Sequence, residues 1–183
     1  MTSLFAQHIA QVQYVDEDRG HIRSTTVDGF YAGAYTAELE DYAKVIEQGK
    51  AATAPNVWGP AAVMQSWVFQ NLTDLLGDIP YSEALQGDLG GSLKPKYDAQ
   101  KDIYYGLLKT LTDASTAMKT ATDAGLASAD LIYKGDGAKW VKFANSLRAR
   151  MALRMSSADA AKAASELSAA FAAGVMTSNA DNA

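Results

Sequence analysis

The stretch AAVMQSWVFQNLTDLLGDIPYSEALQGD, Ala61 to Asp88, decides how this chain folds. Ala61, Met64, Val68, Leu72 and Leu75 recur at spacings of 3, 4, 4 and 3 residues, and Phe69 and Leu76 widen the stripe. That is the pattern of an amphipathic helix burying about half its circumference. Gly77 stands where a left-handed C′ residue is wanted, and Pro80 keeps the helix from resuming. The next residues, YSEALQGDLGGSLKP from Tyr81 to Pro95, are Gly-rich and exceed the roughly 2 to 8 residues that commonly join helices. The spacing therefore predicts a helix stop that opens into a long loop. On this reading Gly77→Val destabilises the fold and Ser82→Ala is nearly silent.

The same periodicity recurs outward in both directions. Downstream, Asp98 is the expected cap of a helix carrying Ile103, Leu107, Leu111, Ala114 and Met118 on one face. Asp136 is the expected cap of another, with Trp140, Phe143, Ala144, Leu147, Met151 and Met155 aligned. A last helix, Asp159 to Ala173, is mostly alanine and small polar residues, with high helix propensity but little side chain to bury. Upstream, a helix is predicted from Asp28 to Gln48 and a weaker one from Ser3 to Tyr14. Strand patterns are scarce, so the fold class is all-α: about six helices in antiparallel hairpins, within a single domain over residues 1–183. Stacked hairpins need neighbours at both ends, and the chain stops abruptly at TSNADNA, so it reads as a piece of a longer protein.

Composition narrows the function. A net charge of -5, with Arg148, Arg150 and Arg154 as the longest basic cluster, argues against nucleic acid. The absence of cysteine excludes disulfides and thiolate chemistry. No apolar run approaches the roughly 18 residues of a membrane span. His8 and His21 lie near Asp16, Glu17 and Asp18, but without the i, i+4 spacing that sets two ligands on one helix face, so no metal is expected. No phosphate loop, serine elbow or cofactor fingerprint occurs, and no cofactor is expected. Asp78, Glu83 and Asp88 could supply a pair of carboxylates for glycoside hydrolysis, although acids in such a loop are mostly solvated.

The aromatic residues are the better candidates, since planar rings stack on sugars and peptides while polar neighbours bond to their hydroxyls. Trp58 and Tyr81 fall in or beside loops that bracket the helix through Leu76. Trp67 lies off the apolar stripe, beside Gln70, Asn71 and Asp74. Trp58, Tyr81, Trp67 and Asp78 are thus the candidate ligand-binding residues, with packing between hairpins as the competing role for each ring. Arg154, at the margin of its stripe, needs a partner, expected to be Asp74 or Asp78.

WVFQNLTDLLGDIPYSEALQGD, PKYDAQKDIYYGLLKTL, DLIYKGDGAKWVKFANSLRARMALRMS and the closing SNADNA, in that order, resemble successive blocks of the SusD/RagB-like outer-membrane nutrient-binding lipoproteins, in their SusD-like branch. The pair GDIPYSEA and KWVKFANSLRARMALR is specific to that family. The resemblance covers most of the chain from about Trp58 onward. It implies a tetratricopeptide-like right-handed stack, attachment to the cell surface through a lipidated N-terminal cysteine, and capture of an oligosaccharide or peptide ligand. The ligand passes to a partner, a TonB-dependent outer-membrane transporter. Members bind and do not catalyse. This chain has no lipid-anchor cysteine and resembles the N-terminal helical part of longer members, whose later half supplies much of the binding surface. A scaffold of helical hairpins that binds other proteins, and a hydrolase using the loop acids, are the rival readings.

Overall fold

The computed structural model describes residues 6–182, the side chain of Leu89 apart. The chain divides into two compact units, Met1–Ala37 and Glu38–Ala183. In the first unit a single turn of 3-10 helix, Glu17–Arg19, precedes helix α1, Ser24–Gly33. The buried Glu17 carboxylate lies 2.9 Å from Arg23, and Asp18 accepts from the Gln11 backbone N–H at 2.8 Å. The acids of this segment therefore close a turn. The helix predicted from Ser3 to Tyr14 is not formed over residues 6–14, which run as turns and bends; Ser3 to Phe5 lie outside the described residues. Ile9 and Val12 stay exposed, and a helix this short does not hold without a face to bury.

The helix predicted from Asp28 to Gln48 begins earlier and ends later. It is realised as α1, a π-helical stretch Ala34–Leu39, and α2, Glu40–Ala51. Asp28 lies inside α1 and does not cap it.

The second unit continues with α3 (Pro55–Leu76), α4 (Gln100–Lys119), α5 (Gly137–Arg154) and α6 (Ala160–Ala173). From α2 onward each helix packs on the next, and α3 also meets α5. Neighbours run antiparallel. Gly59 at the start of α3 lies against Met118 at the end of α4, while at the other end the Gln100 amide donates to the Thr73 carbonyl at 2.6 Å. Leu72, Ile103, Leu107, Leu108, Leu111 and Met151 are the fully buried heart of the stack. The all-α hairpin architecture is thus the observed one.

The predicted stop of α3 is present, with a difference in its geometry. Gly77 has φ 78° and ψ −121°, which is not the left-handed helical well but the mirror-extended region that side chains avoid. The chain then forms a two-stranded antiparallel bridge, β1 (Ile79–Pro80) with β2 (Tyr97–Asp98), pairing Ile79 with Asp98 and Pro80 with Tyr97.

The Asp136 cap stands as the spacing predicts, and Asp159, expected as the first residue of the last helix, proves to be its cap. Asp136 accepts from the Ala138 and Lys139 N–H groups at 3.0 and 3.1 Å, and Asp159 accepts from Lys162 at 3.0 Å. Between α4 and α5, the buried Asp130 gathers the backbone N–H groups of Ile132, Tyr133 and Gly135 and the indole N–H of Trp140, all within 3.0 Å. Behind α6 the chain returns to α5. The Lys142 ammonium donates to Asp181 at 2.6 Å, and the Tyr133 hydroxyl donates to the Asp181 carbonyl at 2.9 Å.

Two outcomes follow from these contacts. No atom lies within 4 Å of a Cβ built on Gly77, so Gly77→Val costs backbone strain alone, at least about 1 to 2 kcal/mol in chemical denaturation. The hydrogen bonds from Lys142 and from the Thr177 backbone hold the Asp181 carboxyl down at about 2, against 3.8 in the unfolded chain. A depressed folded-state value stabilises in full above the unfolded value and is lost as pH falls through the folded one. The melting midpoint should therefore drop between pH about 4 and about 2, and Asp181→Asn should remove that part of the slope.

Candidate functional site

The reversal between α3 and α4 is a reciprocal clasp. Asp78, just beyond the α3 stop, accepts from the Gln100 N–H at the first residue of α4 at 2.9 Å. Asp98, just before α4, accepts from the backbone N–H groups of Tyr81 (3.2 Å) and Ser82 (2.6 Å) and from the Ser82 hydroxyl (2.9 Å). The expected cap role of Asp98 is thus corrected. Its carboxylate serves the loop, because as part of β2 it faces the residues after Pro80, and Asp78 takes its place at the helix end. Partial burial raises the Asp98 carboxyl, but the hydrogen bonds from Ser82 and Tyr81 outweigh it and hold it below the ordinary carboxylate value. Ser82→Ala is therefore expected to loosen the loop, since it removes one of three hydrogen bonds to Asp98.

The three loop acids weighed for hydrolysis all have structural partners. Asp78 caps α4, Glu83 accepts from the Lys96 backbone N–H at 3.3 Å, and Asp88 pairs with Lys44 of α2.

The clasp sets Asp74 of α3 beside Tyr104 of α4, and the α5–α6 corner closes a cleft of about 600 Å³ over them. Its walls carry Asp74, Gln100, Lys101, Tyr104, Tyr105 and Arg154, with Met155 and Asp159 behind. The Arg154 Nε lies 2.9 Å from Asp74, as the sequence required of one of its two candidate partners. The Tyr104 hydroxyl donates to Asp74, and the Tyr105 hydroxyl to Asp159. Burial, then the bond to Asp74, raises the Tyr104 phenol; the bond to Asp159, then burial, raises that of Tyr105. Both remain protonated donors at neutral pH. Hydrogen bonding by Tyr105 and the Lys162 backbone lowers Asp159, and the contacts of Tyr104 and Asp74 raise Arg154. The ammonium groups of Lys101 and Lys162 stand 5.5 and 5.7 Å from the centre of the Tyr105 ring.

The structure does not bring the four candidate residues together. Tyr81 is a packing ring: it meets Phe69 edge-on at 5.0 Å, and a Cβ at Gly106 would approach its ring to 2.7 Å. Trp58 lies within the first turns of α3, not in a loop, with the Lys50 ammonium 5.4 Å from its ring. Trp67, 38% exposed, is on the same stripe of α3 as Asp74, two turns away. Its neighbour Gln70, read as part of that polar flank, is instead fully buried, with no partner for its amide among the described residues. Tyr104 and Tyr105 adjoin the apolar stripe of α4, which in sequence makes them look like part of it. The signal was the pair itself, ahead of Gly106.

Among the described residues no helix is long and apolar enough to cross a membrane, and no group of three or more acidic or histidine side chains is gathered as a metal site.

The family described as starch-binding and associating with the outer membrane matches residues 1–183. Among solved structures, a chitin-binding protein is 34% identical with a TM-score of 0.87 over 99% of this chain. A SusD-like protein of Bacteroidetes AC2a is 30% identical with a TM-score of 0.86 over 100%. One from Bacteroides thetaiotaomicron is 25% identical with a TM-score of 0.81 over 94%. The chain spans 39%, 34% and 36% of those three proteins. No curated protein matches it.

Asp98→Ala should release the segment 81–96 while leaving the helices in place. Limited proteolysis should then cut within that segment at least several-fold faster, with an unchanged helical circular-dichroism spectrum.

Proposed function

The chain belongs to the SusD-like family, described as starch-binding and associating with the outer membrane, and on that premise we propose that it is the helical part of a cell-surface glycan-capture protein. Its ligand is an oligosaccharide, delivered to a TonB-dependent transporter of the outer membrane. The observation that carries this reading is the match over residues 1–183, joined to a chitin-binding structure 34% identical over 99% of the chain. The helical stack supports it, because rigid antiparallel helices hold side chains in fixed register for an extended ligand. Binding without turnover fits loop carboxylates that are all engaged in the fold.

Of the four residues first considered, Trp67 is the proposed ligand contact and Trp58 a secondary one. Tyr81 and Asp78 act through the fold that they hold. The rival reading, a protein-interaction scaffold, draws on Leu153 and Phe171, each 60% exposed on the last two helices. In the proposed assembly those side chains belong to surfaces that meet protein, while the sugar occupies polar ground.

Calorimetric titration with maltooligosaccharides and chitooligosaccharides separates the readings. Glycan capture predicts saturable, chelator-insensitive binding with no cleavage product, weakened by about 1 to 3 kcal/mol in Trp67→Ala. Turnover that disappears in Glu83→Gln would replace capture by hydrolysis, and no binding of either series would favour the scaffold.

A further inference from the structure

We propose that the cleft between the end of α3, the start of α4 and the α5–α6 corner is a subsite for one neutral sugar unit, with Tyr104, Tyr105 and Arg154 as its contacts. This rests on the glycan-capture reading and gives it a location that neither the family nor the relatives' descriptions supply. The cleft, about 600 Å³, falls within the range of about 300 to 1,000 Å³ typical of small-ligand sites.

The polar groups on its walls are held, yet not used up. Arg154 is fixed to Asp74 through Nε and is hydrogen-bonded to Tyr104, and its side chain is 49% exposed, so some of its five N–H donors remain for a ligand. The Tyr105 phenol has its proton committed to Asp159, which leaves the oxygen's lone pairs to accept, whereas the buried Tyr104 oxygen also takes a hydrogen bond from Arg154 and holds that guanidinium in place. Asp74 and Asp159 each have further lone pairs beyond the bonds that they receive. A sugar hydroxyl donates and accepts at once, so it can answer all three kinds of group. These groups are already oriented before ligand arrives, which lowers the ordering cost of binding.

The charges decide which class of ligand fits. Asp74 and Asp159 offset Arg154 and Lys101 within one cleft, so an anion gains no net field there. A purely apolar ligand would desolvate the wall groups without replacing their water. Met155 is a buried residue of the lining, and the Tyr105 ring provides a planar surface. Among the described residues Lys101 has no carboxylate within the 4.0 Å of an ion pair. It stands over that ring on an exposed stem, from which it can swing aside as a pyranose stacks.

The test uses the chain as it is, labelled for amide NMR and titrated with maltotriose, triacetylchitotriose and, separately, glucuronate. The expected result is saturable shifts grouped at Asp74, residues 100–105 and residues 154–159, extending along α3 to Trp67, for a neutral trisaccharide. Arg154→Gln and Tyr105→Ala should each weaken that binding by about ten-fold, whereas Tyr105→Phe should retain part of it through stacking. The shift map of the unsubstituted chain stands even where a variant fails to fold. Saturable sugar binding with shifts elsewhere, unaffected by Arg154→Gln, overturns the cleft and leaves glycan capture in place. Tighter, salt-sensitive binding of glucuronate overturns the neutral-sugar assignment. No binding of any probe overturns the subsite together with the reading on which it rests.

Discussion

Two carboxylates, each bonded to backbone on the far side of one chain reversal, hold this structure in register. Asp78 leaves α3 and satisfies the first N–H of α4; Asp98 leads into α4 and satisfies the N–H groups that follow β1. Charge-assisted bonds to backbone N–H groups are among the stronger ones available to a protein, and these two cross. Sliding α4 along α3 by one turn would break both at once. Because Gly77 turns the chain through a conformation that side chains avoid, the point of reversal is fixed as well. Asp74 beside Tyr104, and Thr73 beside Gln100, follow from that register.

The cleft is a by-product of the same constraint, and its chemistry comes from the far end of the stack. α5 delivers Arg154 to Asp74, and the corner into α6 delivers Asp159 to Tyr105. Three helices and one cap therefore contribute to a cluster in which Arg154 is already paired with Asp74. Nearby, the buried Arg148 pairs with the partly exposed Glu166 at 2.9 Å and ties α6 to α5, so the corner is anchored from behind. An alanine-rich helix with few large side chains needs such a tie, since it has little apolar area to contribute.

Much of this was legible in the residues. The stripe from Ala61 to Leu72, the stop at Gly77 and Pro80, the Asp136 cap and a partner for Arg154 all follow from local periodicity and from the cost of an unpaired cation, whereas Leu75, placed on the same stripe, is 57% exposed. The parts that escaped depend on tertiary placement. A carboxylate two residues before a helix looks like its cap, and nothing in the sequence says that the chain pairs as a bridge there and turns Asp98 toward Ser82. Gln70 reads as a surface residue by composition and is buried by its position on α3. Tyr104 and Tyr105 read as extensions of a core stripe, because their hydroxyl partners lie 30 and 54 residues away. The π-helical stretch at Ala34–Leu39 has no counterpart in a periodicity read at 3.6 residues per turn. Trp58 and Tyr81 were chosen by their nearness to loops, yet Trp67, chosen for lying off its stripe within a helix, has the more open ring.

From α2 onward each helix packs chiefly on the one that follows it in sequence, and this carries a kinetic meaning. Pairings between consecutive helices require only short stretches of chain to close, so little loop entropy has to be lost before contacts form. Helical proteins of such low contact order fold in roughly microseconds to milliseconds. The stack can grow from any hairpin by adding one neighbour at a time, as in repeat arrays. Order along the chain and order of assembly then coincide.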